Sequence, residues 1–273
     1  MEEAYRIMRL YLIIAPSLFF LIFFLLVPII YMIISTHDFI PTFFHTTFNE
    51  EFFSVYIRTI RIGLIVALLA TLLAYPLAYY TSRASSRIKS LFKALIFLPL
   101  MVNPLVRSYG WILILGKEGF LNSLLIALKI IDESLRLLYT EFAMVLGLLE
   151  LFFPFMFVPL LSAMENLNEE VLMAAKSLGA NPLRIFINII FPLTLKGYIA
   201  GLSVILAGCA AAFVTPTLLG GFRNRTLSML LYEFIEIRLN WGAATATALV
   251  IMLTVFSIIL FFSYIKKVLV RGI

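Results

Sequence analysis

NEEVLMAAKSLGANPLRIFINIIFP, residues 168–192, decides how the rest of the chain is read. Apolar runs of membrane-spanning length flank it, yet it carries Glu169, Glu170, Lys176 and Arg184 together with Gly179, Pro182 and Pro192. Asn168 suits a helix N-cap, because its side-chain oxygen can accept from the free amides of the first turn. Glu169 and Glu170 then sit where the helix dipole favours negative charge. Val171 to Leu178 is rich in helix formers, and Gly179 can take the left-handed conformation that ends a helix. Asn181 can cap a second helix whose first position, Pro182, needs no amide donor. Val171, Ala174, Ala175 and Leu178 share one face of the first helix, and two adjacent alanines let another surface approach it closely. The stretch reads as helix, break and helix held in water at a membrane surface, with Pro192 marking entry into the next apolar run.

Composition explains the flanks. Of 273 residues, 63% are hydrophobic and 13% charged, about half the charge of a soluble domain. Four runs lack Asp, Glu, Lys and Arg for at least 18 residues: 10–37, 62–82, 197–222 and 239–265, each long enough to cross a bilayer as a helix. Residues 94–116 and 142–164 complete a set of six if Arg107 and Glu150 are tolerated. The expected architecture is an all-α membrane protein with spans near 10–36, 60–82, 93–116, 141–164, 197–220 and 241–265, a loop at 165–195, and one transmembrane domain over 1–273. The segments 1–9, 83–93, 165–196 and 266–273 hold 12 of the 21 Lys and Arg. By the positive-inside rule they face the cytoplasm, as do both termini. The first apolar run is longer than a signal-peptide core and reads as a retained span.

On the opposite face, the aromatic stretch 38–57 reads as interfacial. GKEGFLNSLLIALKII (116–131) and RNRTLSMLLYEFIEIRLNW (223–241) read as short surface helices. Cys209 is the single cysteine and excludes an intrachain disulfide. His37 and His45 stand apart from other ligand types, so no metal site is expected. No phosphate-cradling G-x-x-x-x-G-K-[ST] occurs, and no serine has a base at motif spacing. The net charge of +6 belongs to membrane edges and does not indicate nucleic acid.

Within the spans, an acid at membrane depth is costly unless paired or wet, so Glu150 marks either a functional site or a structural pair with an Arg or hydroxyl. Arg107 either snorkels toward the outer edge of its span or joins a pathway. Gly197, Gly201, Gly208 and the alanines around Cys209 allow close helix approach in the fifth span, and Thr215-Pro216 loosens its end.

The 168–192 stretch also resembles the cytoplasmic loop of ATP-binding-cassette (ABC) importer permeases, on Ala174-Ala175, Leu178-Gly179-Ala180, Phe186, Ile189 and Pro192. Met173 stands where that family has Glu, and Glu169 or Glu170 would supply the missing charge. The resemblance implies a type I importer permease fold in a bacterial inner membrane. It also implies a second permease subunit forming a heterodimer, two copies of a separate ATPase that binds ATP and Mg, and an extracytoplasmic solute-binding protein. Glu169, Glu170, Met173, Ala174, Ala175, Leu178, Gly179, Ala180 and Pro182 would form the ATPase-coupling element. PLMVNPLVRSYGWILILGKEGFLN (99–122), FVTPTLLGG (213–221) and NWGAATA (240–246) resemble the permeases of spermidine/putrescine importers. The same pattern is similar to permeases for phosphonates and ferric iron. A polyamine would favour a pathway with an acid and aromatic faces, for which Glu150, Tyr109, Trp111, Phe155 and Arg107 are the candidates. A self-contained secondary transporter using Glu150 stays open, and a membrane enzyme ranks last.

Overall fold

The computed structural model describes the backbone of residues 2–36 and 39–270, and side chains over 14–36 and 39–269. His37 lies outside the described residues. Its regular elements are all helices among the described residues, with an irregular link at 128–140. It begins with α1 (Glu2–Ser35), α2 (Phe39–Thr47), α3 (Glu50–Ser82), α4 (Ser86–Met101), α5 (Pro104–Leu115) and α6 (Phe120–Ala127). Then come α7 (Glu141–Glu165), α8 (Glu169–Ser177), α9 (Pro182–Ile185), a π-helical turn (Phe186–Ile190) and α10 (Phe191–Ala211). It closes with α11 (Val214–Gly220), α12 (Leu227–Glu236) and α13 (Trp241–Val270). Among the described residues, six stretches are long and apolar enough to cross a membrane: Ile14–Ser35, Glu50–Ser82, Pro104–Ala127, Glu141–Glu165, Pro182–Ala211 and Trp241–Leu269.

α7 is the centre of the bundle, packed against α3 and α10, while α10 also packs against α13. Small residues permit this. Ala67, Ala70, Ala74 and Ala78 are buried along one stripe of α3, and Gly197 and Gly201 put the backbone of α10 against that of α7. A Cβ on Gly197 would lie 2.4 Å from the Pro159 carbonyl oxygen, and one on Gly201 would lie 2.9 Å from that of Phe155. Close backbone approach is how helices gain packing energy where lipid supplies no hydrophobic drive. α1 is the opposite case, with every side chain from Ile14 to Pro28 exposed.

The bundle has two distinct ends. At one, Arg58 and Arg61 of α3 meet Glu141 at the start of α7. Above them Glu51, Arg225, Glu233 and Arg238 form a network with N···O distances of 2.5–3.0 Å. Hydrogen bonding to Glu51, then to Glu233, raises the pKa of Arg238 above its ordinary value. Thr59 reaches from α3 to accept the Leu227 amide at 3.0 Å, serving as a cap that α12 lacks from its own Thr226. At the other end Lys89 and Lys93 lie 3.5 Å from Glu165, the last residue of α7.

Four boundaries differ from the sequence reading. α3 starts at Glu50, capped by Asn49, so residues 50–57 of the stretch read as interfacial are the first part of a span helix. The span expected at 93–116 is broken at Val102-Asn103. Pro104 disfavours helical geometry at Asn103, and the Asn103 side chain instead accepts the Leu105 amide at 2.8 Å as an N-cap. The segment 116–131 supplies only the eight-residue α6, stapled by buried Asn122, which bonds Gly116 O, Leu135 O and the Leu135 amide at 2.9–3.0 Å. Finally, Pro192 does not open a new helix. Residues 182–211 are helical without a gap, and the break of the fifth span falls at Ala212-Phe213.

Candidate functional site

The 168–192 stretch folds as a short helix and a long one separated by a sharp turn. Asn168 accepts the Glu170 amide at 2.8 Å and Asn181 the Arg184 amide at 2.7 Å. The end of α8 is a Schellman turn. Ala180 N–H bonds Ala175 O at 3.1 Å and Gly179 N–H bonds Lys176 O at 2.9 Å, with Gly179 at φ +79°. The positive φ is why a glycine is needed there.

Leu172 is the buried residue of α8. Ala175 and Ala180 are half-buried and pack on the main core, which corrects the expectation that Ala175 shares an outer face with Val171, Ala174 and Leu178. The outward side chains are Glu169, Glu170, Val171, Met173 and Ala174, with exposed Leu178 and Pro182 beyond. Met173 is 61% and Leu178 88% exposed. Beyond α9, the π-helical turn joins this element to α10. Thr194 Oγ1 donates to Ile190 O at 2.8 Å and lies 3.3 Å from the Tyr75 hydroxyl. The local hint of the π turn is Pro192 just beyond it, which has no amide to offer the carbonyls of that turn.

The second place of interest lies inside the bundle. Arg107 on α5, Trp111 one turn later and Glu150 on α7 come together. The Trp111 indole N–H donates to Glu150 Oε2, and Arg107 Nε stands 3.7 Å from the same oxygen. Arg107 Nη1 donates to the Pro99 carbonyl at 3.1 Å, bridging the break between α4 and α5. The same carbonyl accepts the Val102 amide at 3.3 Å, so the guanidinium adds a second bond at the end of α4. Arg107 therefore does not snorkel: its side chain is 7% exposed, against 26% for Glu150. Tyr109 and Phe155 are exposed and make no hydrogen bond or ring contact with this trio among the described residues. Phe155 instead lies tilted against Phe152, with ring centroids 6.2 Å apart. Pro154 lacks the amide that a regular helix would aim at the Glu150 carbonyl. Cys209 is buried, His45 is exposed, and no group of metal-ligating side chains forms among the described residues.

A broken span beside a paired intramembrane acid, and a capped helix projecting between two spans, define a transport component. The chain belongs to the family of binding-protein-dependent transport system inner membrane components, whose pattern matches residues 70–272. It is a multi-pass membrane protein of a family of transport components, not of enzymes.

Among curated relatives, it is 38% identical over 162 residues to the spermidine/putrescine transport system permease protein PotB of Escherichia coli (strain K12), covering 58% of each chain. It is 39% identical over 170 residues to the protein of the same name from Haemophilus influenzae, covering 62% of this chain and 59% of that one. The chain thus spans about three-fifths of the length of the curated relatives it matches. Its fold is that of the bacterial alginate ABC transporter solved in complex with alginate pentasaccharide-bound periplasmic protein. The TM-score is 0.78 at 17% identity, over 97% of this chain and 96% of that one.

Proposed function

We propose that this chain is a permease subunit of an ATP-driven polyamine importer in a bacterial inner membrane. It forms the translocation pathway with a second, different permease subunit. Two copies of a separate ATPase bind ATP and Mg, and an extracytoplasmic binding protein delivers spermidine or putrescine. Both termini and the α8 element face the cytoplasm. Glu169, Glu170, Met173, Ala174, Leu178, Gly179 and Pro182 meet the ATPase, with Ala175 and Ala180 fixing α8 to the bundle behind them. Met173 replaces a charged contact with an apolar one.

The observation that carries this reading is the continuity of 182–211. A displacement of α8 is passed by a Schellman turn into a helix that runs, without a loop, into the middle of the bundle. A rigid helix transmits movement where a loop would absorb it, so closure of the ATPases switches access between the two sides. The likeness to spermidine/putrescine permeases supports the choice of cargo. Arg107, Trp111 and Glu150, with Tyr109 and Phe155 exposed nearby in sequence, form the pathway wall.

Purification of the assembled complex tests the reading. An ATPase, a second permease and ATP-dependent uptake of labelled spermidine or putrescine are expected. A complex without an ATPase, or uptake of an unrelated solute alone, would overturn it.

A further inference from the structure

We propose that Glu150 is the carboxylate that receives an ammonium group of the passing substrate, and that Arg107 is a tethered cation that partly neutralises it and so keeps the hold reversible. The inference rests on the polyamine reading and says how the pathway handles that charge.

The geometry is that of an acid neutralised incompletely. A full charge-assisted pair closes to about 2.7–2.9 Å, yet Arg107 Nε stays 3.7 Å from Glu150. The guanidinium is held back by its 3.1 Å bond to the Pro99 carbonyl, and its Nη2, though buried, bonds to nothing among the described residues. Both neighbours of Glu150, Arg107 Nε and Trp111 Nε1, converge on Oε2. Oε1 has no hydrogen-bond partner among the described residues, and the side chain is 26% exposed while Arg107 is nearly covered.

The acid is thus partly exposed with one oxygen free, while its counter-ion on the broken span is covered. In a low-dielectric setting, a carboxylate paired only at this distance keeps a residual attraction for a second cation. A compact ammonium has three donors on a point charge, where a guanidinium has a fixed fork. A primary ammonium on an alkyl chain can therefore bond Oε1 without displacing Arg107. The nearby Arg107 charge keeps this hold weak, as a site that must release its cargo requires.

The test compares Glu150→Gln, Arg107→Gln and the double variant in the full complex, with labelled spermidine as the probe. Glu150→Gln is expected to lower uptake at least tenfold. The double variant removes both charges together, so it restores thermal stability without restoring uptake. A double variant that takes up spermidine at the wild-type rate would show the pair to be purely structural and overturn the proposal.

A second measurement needs no variant. Modification of Glu150 by dicyclohexylcarbodiimide, followed by mass spectrometry, is expected to slow severalfold in spermidine but not in sodium at equal ionic strength. An unchanged rate overturns the proposal even where the variants fail to fold. Wild-type complex that transports neither spermidine nor putrescine would sink the polyamine reading, and this inference with it.

Discussion

The two ends of the bundle solve opposite problems. At the α12 end, Glu233 is 7% exposed and held by both Arg225 and Arg238, and Glu51 shares the same two cations. Three separate segments are tied there by charges that the chain supplies to itself. At the α8 end, backbone conformation is fixed just as firmly, by two asparagine caps and a Schellman turn. Yet Met173, Leu178, Leu183 and Ile187 point outward, and among the described residues the ion pairs nearby are the 3.5 Å contacts of Lys89 and Lys93 with Glu165. One end is completed internally. The other is rigid but uncovered, which is what a surface needs if a partner is to push on it. Rigidity and self-sufficiency are therefore separate properties, built from backbone caps in one case and side-chain charge in the other.

Substitutions can break or sharpen that contrast. The largest expected effect is on stability at the α12 end. Arg225→Met should cost about 3 kcal/mol, at the low end for orphaning a buried acid because Arg238 remains. It would appear as a lowered unfolding temperature in detergent, and an unchanged temperature would mean that the network adds nothing. Next comes Leu178→Asp at the α8 end. An 88% exposed side chain contributes little to the isolated subunit, so its unfolding temperature should not move. Burial of a leucine against a partner is worth about 2 kcal/mol, so ATPase co-elution and uptake should fall at least tenfold. Equal loss of stability and uptake would erase the distinction between the two ends.

Smaller still is Gly179→Ala. Nothing lies within 4 Å of the added Cβ, so the cost is the left-handed backbone alone, about 1 kcal/mol. It should be seen as a modest loss of uptake with the subunit intact. The least effect belongs to Glu165→Gln, whose partly exposed pairs with Lys89 and Lys93 are worth at most about 0.5 kcal/mol. A larger fall in unfolding temperature would show that the α8 end relies on charge after all.

Much of the local structure was legible because its causes are local. Asn168, Gly179, Asn181 and Pro182 act within a few residues of where they stand, so the caps and the turn follow from side-chain chemistry and backbone sterics. Six apolar runs announced six spans because bilayer thickness sets helix length. The boundaries that went astray are those where a neighbouring element intervenes. The Val102-Asn103 break is signalled by Asn-Pro, but the apolar run conceals it. The π turn lies immediately before Pro192, a proline inside the continuous 182–211 helix that has no amide to return to the carbonyls of that turn.

The sequence by itself determined the class of fold, the caps around α8 and the presence of a costly acid at membrane depth, since each depends on composition or on residues a few positions apart. Only the tertiary structure decided that Arg107 turns inward to Glu150, 43 positions away, while Tyr109 and Phe155 do not join them. It also decided that Ala175 faces the core and that the α8 element continues unbroken into the bundle. Helix-face periodicity says which side chains share a side, but the packing of other helices settles which side is covered.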